Sequence, residues 1–160
     1  MRQWWMVMCL GVSLSCLGPA ASAQSGGAQR LDVVAQEMQD AITLRLQGQR
    51  LAKLYRQAGV NVQARQASLA LEQGSVQGDA SVRRLARHAQ LPGSGRTYGR
   101  CAAVWQEFRA VISQPYTPAD AERASQLAEE LAIHAGKLAL QIEAGVDSQA
   151  GRALDGAGRL

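Results

Sequence analysis

The sequence predicts an all-α protein, and three observations carry that reading. Aromatic residues make up only 4% of the 160 residues. Alanine, leucine, glutamine and arginine abound, and they favour helices. Apolar residues recur at spacings of three and four over long stretches free of proline, while strand-like alternation is missing.

The first element reads as a leader. Arg2 precedes a mostly apolar run from Trp4 to Leu17, Gly18-Pro19 breaks it, and Ala21-Ser22-Ala23 offers the pattern after which a signal peptidase cuts. The run is shorter than the roughly 20 residues that span a bilayer. A cleaved signal over residues 1–23 is therefore expected in preference to a retained anchor. Lipidation at Cys16 is the weaker reading, because Leu14 sits one place too late for a good lipobox. Cleavage after Ala23 removes Arg2, Cys9 and Cys16. It leaves 16 of the 17 basic side chains against 13 acids, a net +3, and one thiol, Cys101. One cysteine cannot form an internal disulfide. The expected location is the periplasm or the secreted space, with no membrane span after cleavage. Basic groups interleaved with acids in that compartment argue against nucleic acid as a partner.

A long first helix is predicted from Gln29 to about Ala58. Leu31, Val34, Met38, Ala41, Arg45, Gly48, Ala52 and Tyr55 form a heptad seam along it. Leu44, Leu51, Leu54 and Ala58 make a second stripe, so the helix is expected to pack on more than one neighbour. Gly59 to Asn61 should break it. A second helix follows over about Val62 to Gln73, with Ala64, Ala67, Leu69 and Leu71 toward the core. Gly74 to Asp79 reads as a turn, with Asp79 capping a short helix through Ala89 that contains Val82 and Leu85. Leu91 to Gly99, holding Pro92, Gly93 and Gly95, is the clearest loop.

The next helix, about Arg100 to Ser113, presents Cys101, Val104, Trp105, Phe108, Val111 and Ile112 as the densest apolar face. Thr117-Pro118-Ala119-Asp120 is a helix start: a capping threonine, proline in the first turn and an acid three places on. The last long helix runs to about Ala144, with Leu127, Leu131, Ile133, Leu138, Leu140 and Ile142 expected inside and Gly145 interrupting it. Asp147 or Ser148 then caps a further helical segment.

Catalytic patterns are missing from this reading, and neither an enzyme nor a cofactor is expected. Glu130 and His134 stand four apart and could share a metal, but no third ligand is visible, so a solvated ion pair is the simpler account. Cys101 lies on the Trp105 and Phe108 face, where a buried thiol is inert. Gly93-Ser94-Gly95-Arg96 lacks the lysine and hydroxyl of a phosphate loop.

The one informative constellation is Leu44-Arg45-Leu46-Gln47-Gly48-Gln49-Arg50-Leu51-Ala52-Lys53-Leu54-Tyr55. Arg45 falls on the predicted seam, where burial is costly unless the guanidinium meets an anion or a carboxylate. In a symmetric helix pair two Arg45 side chains would converge and require an anion between them. Planar guanidinium forks suit a planar multi-oxygen anion. Gly48, one turn on, would allow a partner helix or ligand to come close. The competing reading has Arg45 snorkelling to solvent at the edge of an ordinary bundle.

Leu44 to Lys53 resembles a motif of two related families. These are the periplasmic input domain of nitrate and nitrite sensor kinases and the N-terminal domain of type IV pilus methyl-accepting chemotaxis transducers. Trp105 within Val104-Trp105-Gln106-Glu107-Phe108 resembles the tryptophan on a later helix of these domains, and Ser125 to Leu140 their following helix. The resemblance implies an antiparallel, four-helix-type bundle that dimerises through its first helix. It also implies that Arg45 binds a small oxyanion such as nitrate or nitrite, with Gln49 and Arg50 in support. Ala41-Ile42 departs from the families' Ala-Gly, placing a bulky side chain before the motif. Ala157-Gly158-Arg159-Leu160 is similar to the opening of the same motif, at an offset of 116 residues from Ala41.

The expected organisation is thus a leader over 1–23, a helical sensor-like domain over 24–146, and the start of a second, truncated repeat over 147–160. The expected function is non-enzymatic ligand binding, acting in signal transduction through a protein partner. The alternative is a structural or chaperone-like periplasmic adaptor whose apolar surface binds another protein.

Overall fold

A computed structural model describes residues 21–157. The apolar run of the leader, and Gly158 and Arg159 of the C-terminal motif, lie outside the described residues. Four helices, with no strand among the described residues, form the fold: α1 (Ala21–Gly59), α2 (Ala64–Arg84), α3 (Gly95–Ile112) and α4 (Pro118–Ala157). A 3-10 segment, Leu85–Gln90, continues α2 toward α3.

The helices form an antiparallel four-helix bundle, and pairings between elements fix its directions. Gln47 of α1 bonds Gln77 of α2, while Asp40, earlier in α1, meets Arg84, later in α2. Likewise Arg56 of α1 reaches Ser125 of α4, while Gly48 packs on Ala128 and Leu131. Between α3 and α4, Glu107 pairs with Arg123 and Arg100 with Glu130. Each adjacent pair therefore runs in opposite directions, with α1 between α2 and α4.

The buried seams follow alternating three- and four-residue spacings, as bundle packing requires. On α4 the seam is Ala121, Ala124, Ala128, Leu131, Ala135, Leu138 and Ile142, all buried. On α1 the seam is Glu37, Ala41, Leu44, Gly48, Leu51 and Tyr55. This register corrects the predicted one. Leu31 is 62% exposed and Arg45 faces solvent, because the buried face lies between the two predicted stripes and combines members of both. Ile133 and Leu140, expected inside, are 69% and 66% exposed. They lie off the α4 seam.

The largest correction concerns α2. Gly74 to Asp79 is uninterrupted helix, and Gly74 and Gly78 are both buried. Their seam runs Ala67, Leu71, Gly74, Gly78, Ser81, Leu85 and His88, continuous into the 3-10 segment. Glycine inside a helix costs about 1 kcal/mol relative to alanine, and here close packing supplies the reason for it. A Cβ on Gly78 would collide with the Trp105 indole, and one on Gly74 would stand 2.6 Å from Leu51 Cδ2. The helix yields two large side chains their space. Leu69, expected in the core, is instead 55% exposed.

The connections obey the sequence more closely. Asn61 and Gln63 take left-handed backbone, with φ of 64° and 50°, and end the first hairpin. The predicted loop shrinks to Leu91–Ser94, since α3 already starts at Gly95. Thr117 opens α4: its hydroxyl accepts the Asp120 amide at 3.0 Å and donates to Asp120 Oδ2 at 2.6 Å. Gly145 does not interrupt α4, which continues through residues 146 and 147. No helix of the described residues is long and apolar enough to cross a membrane.

Candidate functional site

The motif on α1 is spread around the helix. Arg45 is exposed and lines a groove of about 320 Å³ between α1 and α4, with Met38, Ile42, Leu140 and Glu143. Gln49 lines a separate space of about 250 Å³, shared with Lys53, Arg56 and Glu129. Arg50 lies beside Thr43, Leu46 and Gln47, on the flank toward α2. The three predicted ligand residues therefore do not converge within one chain. Successive residues turn about 100° around a helix, so Arg45 and Gln49 nearly share a face and Arg50 does not.

Arg45 makes no ion pair among the described residues, and exposed Ile42 and Leu46 flank it at 41% and 63% exposure. Within one chain its exposed position on the outer face of the bundle fits the snorkelling alternative. Gly48 does permit a close approach, but by α4 of the same chain: a Cβ there would stand 3.0 Å from Leu131 Cδ2 and 3.6 Å from Ala128. Ala157 lies at the end of α4, and its motif partners fall outside the described residues.

Glu130 and His134 do face each other, with 3.7 Å between Oε1 and Nε2. Glu130 also receives Arg100 Nη2 at 2.6 Å, so the carboxylate belongs to a surface ion pair. No group of three or more His, Cys, Asp or Glu side chains among the described residues is arranged to hold a metal. Cys101 is 1% exposed and burial pushes its thiol up to about 12. A thiol held protonated in this way is a packing residue at neutral pH.

Sequence reasoning missed the polar cluster between α1 and the end of α2. Asp40, 2% exposed, accepts two bonds from Arg84 and one from Ser81. One turn earlier, Glu37 is 5% exposed and contacts the Arg87 guanidinium, with His88 Nε2 at 3.2 Å. His88 Nδ1 lies 3.1 Å from Ser94 Oγ, which ties the loop before α3 to the same cluster. Burial first, and the charge of Arg87 second, hold the His88 pKa below its ordinary value. A trace of this arrangement exists in the sequence. Two acids three apart on one helix match two arginines three apart on the next, which is the spacing of paired antiparallel turns.

Compared with protein-family models, with curated proteins and with solved structures, the chain matches none.

Proposed function

We propose that this chain is an exported, non-enzymatic sensor-like domain. In this reading it binds a small oxyanion such as nitrate or nitrite between two copies of α1 and acts through a protein partner. The observation that supports it is Arg45: a guanidinium that makes no ion pair among the described residues, on an outer helix face flanked by exposed Ile42 and Leu46. Pairing this face with its copy would cover the two apolar side chains and bring two guanidinium groups together, a pair that needs an anion between its members. The resemblance of Leu44 to Lys53 to the nitrate-sensor and pilus-transducer motif points the same way. Because Arg50 lies on another flank, Arg45 carries the ligand in this reading and Gln49 and Arg50 assist assembly.

A second reading is favoured by Ile133 and Leu140, exposed seven residues apart on α4. With Ile42 in the adjoining groove they extend an apolar outer surface, as an adaptor for another protein would present.

Thermal unfolding followed by circular dichroism, with nitrate, nitrite and chloride and in parallel on Arg45→Ala, separates the two. A ligand at a hundred times its Kd adds about 2.7 kcal/mol of stability. A shift for nitrate or nitrite that vanishes in Arg45→Ala supports the sensor reading, and ligand-dependent dimerisation in sedimentation should accompany it. An unshifted transition retires Arg45 as a ligand and leaves the adaptor.

A further inference from the structure

Arg45 shares its groove with an acid that it does not reach. The groove between α1 and α4, about 320 Å³ in volume, holds Glu143 on its α4 rim. Glu143 is exposed and, like Arg45, makes no ion pair among the described residues. The register of the two helices explains why. Gly48 packs on Ala128 and Leu131, and Val34 shares a cleft with Ile142 and Val146, so Glu143 stands level with the turn of α1 that holds Glu37. Arg45 comes two turns later on α1, about 12 Å away along the axis. The groove therefore carries a free cation at one end and a free anion at the other.

Between the charges the groove is apolar. Ile42 and Leu140, 41% and 66% exposed, stand on its two rims. Ala135, Gly136 and Ala139 make the floor, and a Cβ on Gly136 would meet nothing within 4 Å. Such a floor has room for a large side chain from outside. An apolar centre with charges at its edge is the plan of a small protein interface.

The order of the charges selects the occupant. A basic helix would suit Glu143 and be opposed by Arg45, and an acidic helix the reverse. The occupant must carry both charges, at the same spacing and in the opposite sense. A second copy of this chain, turned end for end, does so. A twofold axis across the groove beside Ile42 exchanges its ends, and each Arg45 then arrives at Glu143 of the partner subunit. Ile42 and Leu140, close to that axis, face the partner's Ile42 and the partner's Leu140. Two more exposed charges have the same centre. Asp32 and Lys53 make no ion pair among the described residues and lie ten residues before Ile42 and eleven after it. The same rotation turns Lys53 toward the partner's Asp32. A parallel pairing instead sets Arg45 against the partner's Arg45 and needs an anion between them.

We propose that, with no oxyanion bound, this groove docks a second copy of the chain in antiparallel orientation, with Arg45 paired to Glu143 of the partner subunit. Exposed ion pairs are individually weak and the apolar centre is small, so the dimer is a weak, exchanging one. Its charges set direction and register. Its role, though not its existence, rests on the reading above. An oxyanion that draws two Arg45 side chains together must displace Glu143 from both, which makes the antiparallel pair the resting state.

Sedimentation equilibrium of the protein at low salt, free of nitrate and nitrite, tests this on the wild type, Arg45→Glu, Glu143→Arg and the double exchange. The wild type should associate to a dimer as its concentration rises. Each single exchange sets two like-charged pairs in the interface and should weaken association at least tenfold. The double exchange should restore it to within about twofold of the wild type. Melting curves establish that each variant is folded. A monomer at every concentration, a dimer that the single exchanges leave intact, or a double exchange without recovery would overturn the proposal. A dimer that forms only on addition of nitrate or nitrite also overturns it, while leaving the oxyanion reading in place.

Discussion

Arg84 holds Asp40 across the α1–α2 interface through both of its carboxylate oxygens, with Nε at 2.7 Å from Oδ2 and Nη2 at 2.6 Å from Oδ1. The two partners differ in exposure. The Asp40 side chain is 3% exposed and that of Arg84 51%. Removing the arginine strands a buried charge, whereas removing the acid frees an arginine to reach water. Hydrogen bonding to Asp40 raises the Arg84 pKa, so the guanidinium stays charged.

That asymmetry predicts unequal mutants. Arg84→Ala leaves Asp40 with Ser81 alone and should cost about 2 kcal/mol, less than a fully buried pair because Arg84 is half in solvent. Asp40→Asn keeps an acceptor for Ser81 and should cost about 1 kcal/mol. Urea midpoints at neutral pH give the comparison. Equal losses, or a larger loss for Asp40→Asn, would mean that the pair is not what stabilises this interface.

Gly78 makes a sharper packing prediction. Its missing side chain makes room for the Trp105 ring, whose Nε1 donates to Asp79 Oδ1 at 2.8 Å. Alanine has the better helix propensity by about 1 kcal/mol. Even so, Gly78→Ala should destabilise by about 1–3 kcal/mol net, because the indole cannot yield without losing that bond. Trp105 fluorescence should shift with it. A stabilised variant with an unchanged spectrum would show that α2 and α3 have slack.

The same glycine explains what was legible in the sequence and what was not. Periodicity and capping are local, so the first helix, the Gly59 break, the Cys101–Ile112 face and the Thr117 start could be read directly. Gly74 and Gly78 carry a turn signal that packing overrides, since Leu51 and Trp105 lie 23 and 27 positions away in the chain. Nothing local says that large side chains are waiting there. The sequence puts Arg45 on the seam because the heptad can be phased in two ways. Only contact with α4 selects the phase that buries Leu44 and Leu51. The Glu37 and Asp40 cluster is illegible for a related reason: acids on a buried face can be read only with their arginines, which come from another element.

Burial also fixes the behaviour of Cys101. With its thiol pushed up to about 12 and its side chain enclosed, it should resist a thiol reagent at pH of about 8 in the folded protein. Reaction should follow global unfolding, so that its rate rises with urea in step with the loss of helix. Stoichiometric labelling within seconds in native buffer would place the thiol at the surface and refute the packing described here.

His88 gives the acid limit of stability. Its pKa is lowered in the folded state, by burial above all and by Arg87. The unfolded chain therefore takes up a proton before the folded one does. The stability contributed by the neutral imidazole is fully present above the unfolded value, about 6.5. It is lost as pH falls below that value toward the lower folded pKa. Wild-type unfolding free energy should therefore decline between pH of about 7 and 5. In His88→Gln, which keeps a polar partner for Ser94 and does not titrate, part of that decline should disappear. Denaturant titrations at several pH values on both proteins measure the difference in slope. Parallel pH profiles would show that protonation of His88 is equally easy in both states, and the buried contacts with Ser94 and Glu37 would then not describe the protein in solution.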